Sequence, residues 1–212
     1  MKGVKFGNLH SWDDFSLILS QKTIRTPSLK TESVDIPGSD GVLDLTEFFG
    51  DVNYNNRHLS FDFSTNVSQS VFLELFADIQ NALHGQKMQI ILDEDAEWYY
   101  TGRIKVSEWK SDKNIGKLTI DCDCEPYKLK ITETVVSKAV SGTLNIVLPN
   151  SRKRVVPTIT TDAEMKISFG TYSGTFSAGT FRIPELELIE GNNTVTVTGT
   201  GNITFRYREG AL

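Results

Sequence analysis

Residues 59–84, LSFDFSTNVSQSVFLELFADIQNALH, decide the fold of the first half of the chain. Residues 59–64 alternate apolar and polar side chains, which is typical of a β-strand with one buried face. The period then changes, and the apolar side chains of the next segment share one side of a helix that is predicted from about 70 to 84. That apolar stripe consists of Val71, Phe72, Leu75, Phe76, Ile79 and Leu83. We therefore expect a β-sheet covered by one amphipathic helix, with Ser68 or Ser70 as its N-cap and Gly85 at its C-terminal end.

The flanking sequence adds further strands to this sheet. Residues 88–92 and 98–106 predict a hairpin around the acidic run 93–97, and residues 117–124 alternate once more before Pro126 ends the strand. A short strand is expected at 15–19, and the glycines of IPGSDG at 36–41 predict a tight turn. Residues 1–130 are thus predicted to form a β-rich domain with one α-helix.

Residues 131–212 differ in composition and predict a second domain that is entirely β. They hold 14 of the 21 threonines, and their 8 basic and 7 acidic residues contrast with 14 basic and 20 acidic residues in 1–130. Short apolar segments separated by turn signals predict a small β-sandwich. The expected strands cover 143–148, 155–161, 164–169, 180–189, 194–198 and 203–207, with turns at 190–193 and 199–202.

Composition excludes several classes of protein. The 212 residues carry a net charge of −5, which is not the basic footprint of a nucleic-acid-binding protein. No apolar run reaches the ~20 residues of a membrane span, and the first residues do not resemble a signal peptide. We expect a protein made in a cytosol without a membrane partner. Two cysteines exclude a scaffold held together by several disulfides.

No set of residues predicts catalysis, a metal or a cofactor. The acidic run 93–97 lacks the spacing of a calcium loop, and Cys122 and Cys124 have no second pair with which to bind zinc. Glu185 and Glu187 alternate with leucines as on any half-exposed strand, and the three histidines lie far apart in sequence. Nucleophile, phosphate-binding and dinucleotide motifs are absent. The chain is therefore predicted to be no enzyme, with no catalytic, cofactor-binding or metal-binding residues.

The aromatic run Trp98-Tyr99-Tyr100 leaves two alternatives open. Neighbouring side chains on a strand point to opposite faces, so this strand carries aromatic groups on both. It is either buried on both faces or part of a contact between subunits.

The order of several short motifs resembles the distal tail protein (Dit) family of phages with long, non-contractile tails, over nearly the whole chain. The matching segments in the first half are VKFGNLHS at 4–11 with Asp13, Asp14 and Phe15, IPGSDGVLDLT at 36–46, and Tyr54 with RHLSFDF at 57–63. The later ones are LHG at 83–85, YTGR at 100–103, CEPY at 124–127, ELIEGNNT at 187–194 and YREGAL at 207–212.

The resemblance implies a fold and a role. It implies a mainly β chain with an N-terminal ring-forming β domain containing one helix, residues 1–130, and a C-terminal galectin-like β-sandwich, residues 131–212. It also implies a structural virion protein that forms a homo-hexameric ring at the distal end of the tail. The implied partners are the tail tube protein and a tail-tip protein, either a tail-associated lysin or a fibre base, with DNA passing through the lumen without specific binding.

A ring requires surfaces that are satisfied only on assembly. We expect the strands at 59–64 and 98–106 to supply such edges or faces, and the acidic residues of 1–130, including Asp93, Glu94, Asp95 and Glu97, to line the lumen. The alternative function is a carbohydrate-binding module for a host cell-surface glycan, using an exposed aromatic side chain such as Tyr172 of the second domain. A hydrolase acting on a cell-wall polymer is a third reading.

Overall fold

The structure, a computed structural model, describes residues 2–48, 50–67, 69–112 and 115–212, with the backbone alone at residues 69, 70, 111 and 112. The chain forms two compact units, Met1–Pro126 and Tyr127–Leu212. This division lies four residues before the boundary expected after residue 130. Strand β10, Lys128–Lys130, is responsible, because it pairs with the C-terminal strand β17, Gly210–Ala211.

The first unit is built on an antiparallel sheet with the order β2-β1-β7-β8-β9-β6-β3. Its strands are β1 (Val4–Phe6), β2 (Leu9–His10), β3 (Ile18–Ile24), β6 (Arg57–Thr65), β7 (Lys87–Leu92), β8 (Trp98–Asp112) and β9 (Ile115–Cys124). Two short strands, β4 (Ser33–Asp35) and β5 (Val42–Asp44), form a separate two-stranded sheet. The predicted hairpin and the alternating strands at 59–64 and 117–124 are confirmed. The strand expected at 15–19 starts only at Ile18.

The helix α1, Gln69–Leu83, confirms the segment predicted from its apolar stripe. Phe72, Ile79 and Leu83 are buried. Ile79 and Leu83 share one core with Leu59, Phe61 and Phe63 of β6 and Ile120 of β9, whereas Phe72 packs against Trp109. Each such side chain contributes about 1.5–3 kcal/mol when it is fully buried. Of the two proposed N-caps, Ser68 lies outside the described residues, and only the backbone of Ser70 is described.

The two segments expected to offer open edges are interior strands. β6 is hydrogen-bonded to β3 on one side and to β9 on the other, and β8 lies between β7 and β9. The prediction of edges at 59–64 and 98–106 is therefore wrong. Alternation in a sequence shows that one face is buried, but it carries no information on which strands pair.

The second unit forms an antiparallel sheet of six strands around its own core. Its strands are β11 (Thr134–Asn150), β12 (Thr158–Thr161), β13 (Met165–Phe169), β14 (Tyr172–Phe176), β15 (Gly179–Arg182) and β16 (Gly191–Tyr207). The order is β14-β13-β16-β12-β15, with β11 on the other side of β16. Phe176 and Phe181 of the two end strands stack with ring centroids 4.6 Å apart, so the sheet curls until its ends meet.

Three predictions for the second unit need correction. The turn expected at 190–193 is already part of β16 from Gly191 onward. The turn expected at 199–202 does not form, because β16 continues through it and pairs with β11 along its whole length. Gly201, with φ at +148°, allows the strand to bend there instead of ending. The strand expected at 180–189 ends at Arg182 because Pro184 has no amide to donate to a ladder.

Within the described residues, no helix is both long and apolar enough to cross a membrane.

Candidate functional site

Residues 25–56 form an arm that leaves the first sheet between β3 and β6. At its base the amide of Asn55 donates to the carbonyl of Ser28, and that of Lys30 to the carbonyl of Asn53, so two chain segments run side by side. At its tip β4 and β5 pair only with each other. The turn predicted at 36–41 joins them, with Gly38 and Gly41 at φ +87° and +77°.

The β4–β5 hairpin has one acidic face. Ser33 lies opposite Asp44 and Asp35 opposite Val42, so these four side chains share a face of the ribbon. The two aspartates are diagonal neighbours, and such positions lie about 7–8 Å apart. Val42, opposite Asp35 and two residues before Asp44, is 62 % exposed. Hydrogen bonds from the side chain and the amide of Thr46 lower the pKa of Asp44, so this carboxylate stays ionised.

The arm is acidic and its apolar side chains are uncovered. It holds six acidic and two basic residues. Where the structure describes the arm, its exposed large apolar side chains are Leu29, Val34, Ile36, Val42, Leu43 and Phe48. An isolated two-stranded hairpin is at best marginally stable in water, and several exposed apolar groups close together mark interaction surfaces. The arm is therefore a candidate assembly element.

The outer face of the second unit offers a surface of opposite character. Across β15, β12, β16 and β11, the register places Arg182, Thr158, Arg206 and Val135 in one row. The next row is Thr180, Thr160, Thr204 and Ser137. We call these eight residues the arginine face. It carries two arginines and no carboxylate.

Cross-strand hydrogen bonds order the arginine face. Thr160 and Thr180 hydroxyl oxygens lie 3.0 Å apart, and those of Ser137 and Thr204 lie 2.9 Å apart. Arg182 Nη2 donates to the carbonyl of Val156 at 2.6 Å. These contacts hold the polar side chains down on the sheet and leave the arginines as the charged groups of this face.

A groove of about 650 Å³ lies on the polar face of the first sheet. Its charged lining consists of Lys87, Arg103, Lys105, Asp121, Asp123 and Glu125, beside His58 and His84. The formal charges of the six cancel. Lys87 pairs with Glu125 at 2.8 Å, and Arg103 donates to the carbonyl of Gly85 at 2.5 Å. Part of the groove lining is thus a network of internal pairs.

Asp121 is the centre of that network. Partial burial by itself would raise its pKa, but hydrogen bonds from Ser107 and Ser60 and the adjacent His58 hold it below the usual value. His58 Nε2 lies 3.3 Å from Asp121 Oδ1. In a nucleophilic triad the imidazole stands between the serine and the carboxylate, whereas here the carboxylate stands between the serines and the imidazole. This order gives no route from a serine proton to histidine.

The acidic run 93–97 is built into the first unit. Asp93 accepts hydrogen bonds from the amide of Gly3 at 2.6 Å and from His10 Nε2 at 3.2 Å. Glu94 forms an ion pair with Lys22. Two of the four carboxylates expected to line a lumen therefore stabilise this unit.

The cysteines and the aromatic run contribute to the core. Cys122 and Cys124 are free and buried, as expected of an apolar pair on one face of a strand. Tyr99 and Tyr100 are both buried although they point to opposite sides of β8, which supports the alternative of a strand buried on both faces. The guanidinium of Arg57 lies 5.3 Å from the centre of the Tyr100 ring.

The other sequence candidates do not form a site. Glu187 forms an ion pair with Arg154 at 2.9 Å. His10 lies between Asp13 and Asp93, and His84 Nδ1 accepts from the amide of Val106. Tyr172, proposed as an exposed sugar-stacking group, is half-buried and packs against the core of the second unit. Within the described residues, no group of three or more His, Cys, Asp or Glu side chains is placed to hold a metal ion.

Sequence reasoning missed the arginine face and the acidic face of the hairpin. Both depend on strand register, because the two arginines are 24 residues apart and meet only across β12. The available signals were the absence of acidic residues from the alternating threonine segments and the alternation of Ser33, Asp35, Val42 and Asp44 around a glycine turn.

The fold has a counterpart among solved structures. The crystal structure of the SPP1 Dit (gp 19.1) protein superposes with a TM-score of 0.72 over 98 % of this chain and 99 % of that chain, at 15 % sequence identity. That protein is described as a paradigm of the hub adsorption apparatus in Gram-positive infecting phages. No protein-family model and no curated protein sequence matches the chain. The chain therefore has the mainly β Dit fold that its motifs predicted.

Proposed function

We propose that this chain is a structural virion protein that forms a homo-hexameric ring at the distal end of a non-contractile phage tail. The ring is a hub that joins the tail tube protein to a tail-tip protein, either a tail-associated lysin or a fibre base. The observation that carries this proposal is the shared fold, which extends over nearly the whole of both chains at a TM-score of 0.72. A hub protein of this kind is made in the bacterial cytoplasm and resides in the virion.

The described surfaces suit a structural rather than a catalytic role. The groove on the first sheet has no net formal charge, and its Glu125 and Asp121 carboxylates are held by lysine, serine and histidine partners. The described residues of the arm, by contrast, expose six large apolar side chains in a segment that carries excess negative charge. Such a segment gains most when it is covered on assembly. The proposal therefore assigns the chain an assembly function without chemistry of its own.

The charge of the first unit supports a lumen through which DNA slides. Residues 1–126 carry 12 basic and 20 acidic residues. A surface of the same sign as the phosphate backbone repels it, so that DNA passes without binding. Because Asp93 and Glu94 are engaged within the unit, we assign this role to the acidic excess of residues 1–126 as a whole rather than to those two carboxylates.

The ring is tested on the purified chain. Light scattering behind size exclusion gives the number of copies, and negative-stain images of the same peak give the symmetry. We expect six copies around a central hole. Open filaments, a closed assembly of another symmetry, or a chain that remains monomeric with both tube and tip proteins present would contradict the proposal.

A further inference from the structure

The acidic face of the β4–β5 hairpin and the arginine face of the second unit match in charge. One face carries Asp35 and Asp44 about 7–8 Å apart on diagonal strand positions. The other carries Arg182 and Arg206 on the two neighbours of β12, both level with Thr158. Adjacent strands lie about 4.8 Å apart, so the two arginines are about 10 Å apart at the backbone. Arginine side chains are long enough to bridge the difference between the spacing of the two arginines and that of the two aspartates.

The two faces also match in their apolar groups. Val42 lies opposite Asp35 on the same face as Asp44 and is 62 % exposed, and Val135 lies at the end of the arginine row beside Arg206 and is 47 % exposed. A contact that places a valine pair beside Arg–carboxylate pairs combines an apolar group with charged groups, as protein interfaces commonly do. Arginine suits such pairs because its planar group binds carboxylates in a bidentate manner.

We propose that the acidic face of the hairpin in one copy docks on the arginine face of a second copy. The inference rests on the proposed ring function and names the surfaces that link its subunits. A second copy of the chain is the binding partner of the hairpin, because one chain carries both complementary faces. Two different faces that pair head to tail generate a ring or a filament, whereas a single self-complementary face generates only a dimer.

Charge reversal tests the contact. We compare Asp35→Lys with Arg206→Glu, because each is an exposed strand position that changes one charge of the proposed contact. Each variant alone places like charges against each other and is expected to weaken self-association at least about tenfold, measured by sedimentation velocity over a concentration series. Matched controls are Asp78→Lys on α1 and Lys166→Glu on β13, which make the same charge changes outside both faces and should leave self-association unchanged.

Mixing the two variants shows whether the hairpin binds the arginine face of a second copy. In an alternating assembly, the lysine-bearing hairpin meets the glutamate-bearing face, and the native hairpin meets the native face. The equimolar mixture should therefore associate as the wild type does, although neither component does so alone. If only the doubly substituted chain recovers the behaviour of the wild type, the hairpin binds its own arginine face and the inference is wrong.

Two further outcomes separate this inference from the ring proposal. If both single variants form the wild-type ring, the ring stands and the inference is overturned. If the wild type does not self-associate at any concentration, the inference is overturned because its contact requires only two copies of this chain. Thermal unfolding of each variant, expected to match the wild type at these exposed positions, excludes misfolding as the cause of a loss.

Discussion

Gly102 shows at the scale of a residue how closely the strands of the first sheet approach. It lies opposite Cys124 in the β8–β9 ladder. A Cβ at position 102 would meet Cys124 Sγ and would lie 2.8 Å from the carbonyl oxygen of Asp123 and 2.9 Å from Cys124 Cα. Two of these three neighbours are backbone atoms, which cannot move aside as a flexible side chain would.

Gly102→Ala should therefore destabilise the first unit. Overpacking of this kind typically costs about 1–3 kcal/mol, measured as the free energy of unfolding in urea. Lys105→Ala serves as the control, since it removes an exposed side chain from the same strand. An unfolding midpoint for Gly102→Ala equal to that of the control would contradict the packing described for this position.

The two buried thiols should be unreactive in the folded protein. Burial, with a smaller contribution from the Asp123 carboxylate, raises the pKa of Cys124 to about 12, and burial also raises the pKa of Cys122. Since the thiolate is the nucleophile, alkylation at mildly alkaline pH should label neither cysteine until denaturant is added. Labelling of the native chain at the rate of the unfolded chain would contradict this prediction.

The same shift gives a dependence of stability on pH. Above the ordinary thiol pKa of 9.0, the unfolded chain loses these protons while the folded chain retains them. The folded state then binds more protons, so the free energy of unfolding should fall as the pH rises through this window. A chain with Cys122→Ala and Cys124→Ala should lose less stability over the same range, as followed by urea unfolding.

At the scale of an element, the bend of β16 is held from the neighbouring turn. Asp162 accepts hydrogen bonds from the amide of Asn202 at 2.6 Å and from its Nδ2 at 2.7 Å. These bonds attach the segment after β12 to the place where β16 bends beside Gly201. The bend lets one long strand pair with β13 before it and with β12 after it.

Asp162→Ala should destabilise the second unit in a pH-dependent manner. The hydrogen bonds from the backbone and the side chain of Asn202 lower the pKa of Asp162 below its ordinary 3.8. The stabilisation is thus fully present above that value and is lost as the pH falls below it. Unfolding curves of wild type and variant should differ at neutral pH and converge in acid. Glu164→Ala, an exposed neighbour, should show no such convergence.

Element prediction from the sequence was accurate where one periodicity covers a whole segment. The stripe from Phe72 to Leu83 and the alternation at 59–64 needed no tertiary information, whereas Val71, expected on the same stripe, is 50 % exposed. The turn predicted at 199–202 was wrong, because a glycine with positive φ is compatible with both a turn and a bent strand. The supposed edges at 59–64 and 98–106 were wrong because pairing is decided by contacts between distant segments.

In the whole molecule, the arm is the segment that we expect to mediate assembly. None of its described residues belongs to the core of the first unit, and it presents apolar and acidic groups together. The sequence predicted its glycine turn and the fold around it. The arginine face could not be predicted, since Arg182 and Arg206 become neighbours only when β12 inserts between their strands.

Val42→Ser separates assembly from folding. Because this side chain is exposed, the free energy of unfolding should change by no more than about 0.5 kcal/mol. Self-association should weaken, because an apolar contact of the proposed interface is lost. Val147→Ser, also at a half-exposed valine but outside the arginine face, is the matched control for sedimentation velocity. Equal association of the two variants would exclude Val42 from the interface.

We propose that this chain forms the hub at the tip of a phage tail. The most direct test is gold labelling, with antibodies raised against the purified chain, of phage particles from a lysate in which the chain is made. We expect gold particles at the end of the tail farthest from the head, where the tube stops. Label on the head, label along the whole shaft, or particles without label would contradict it.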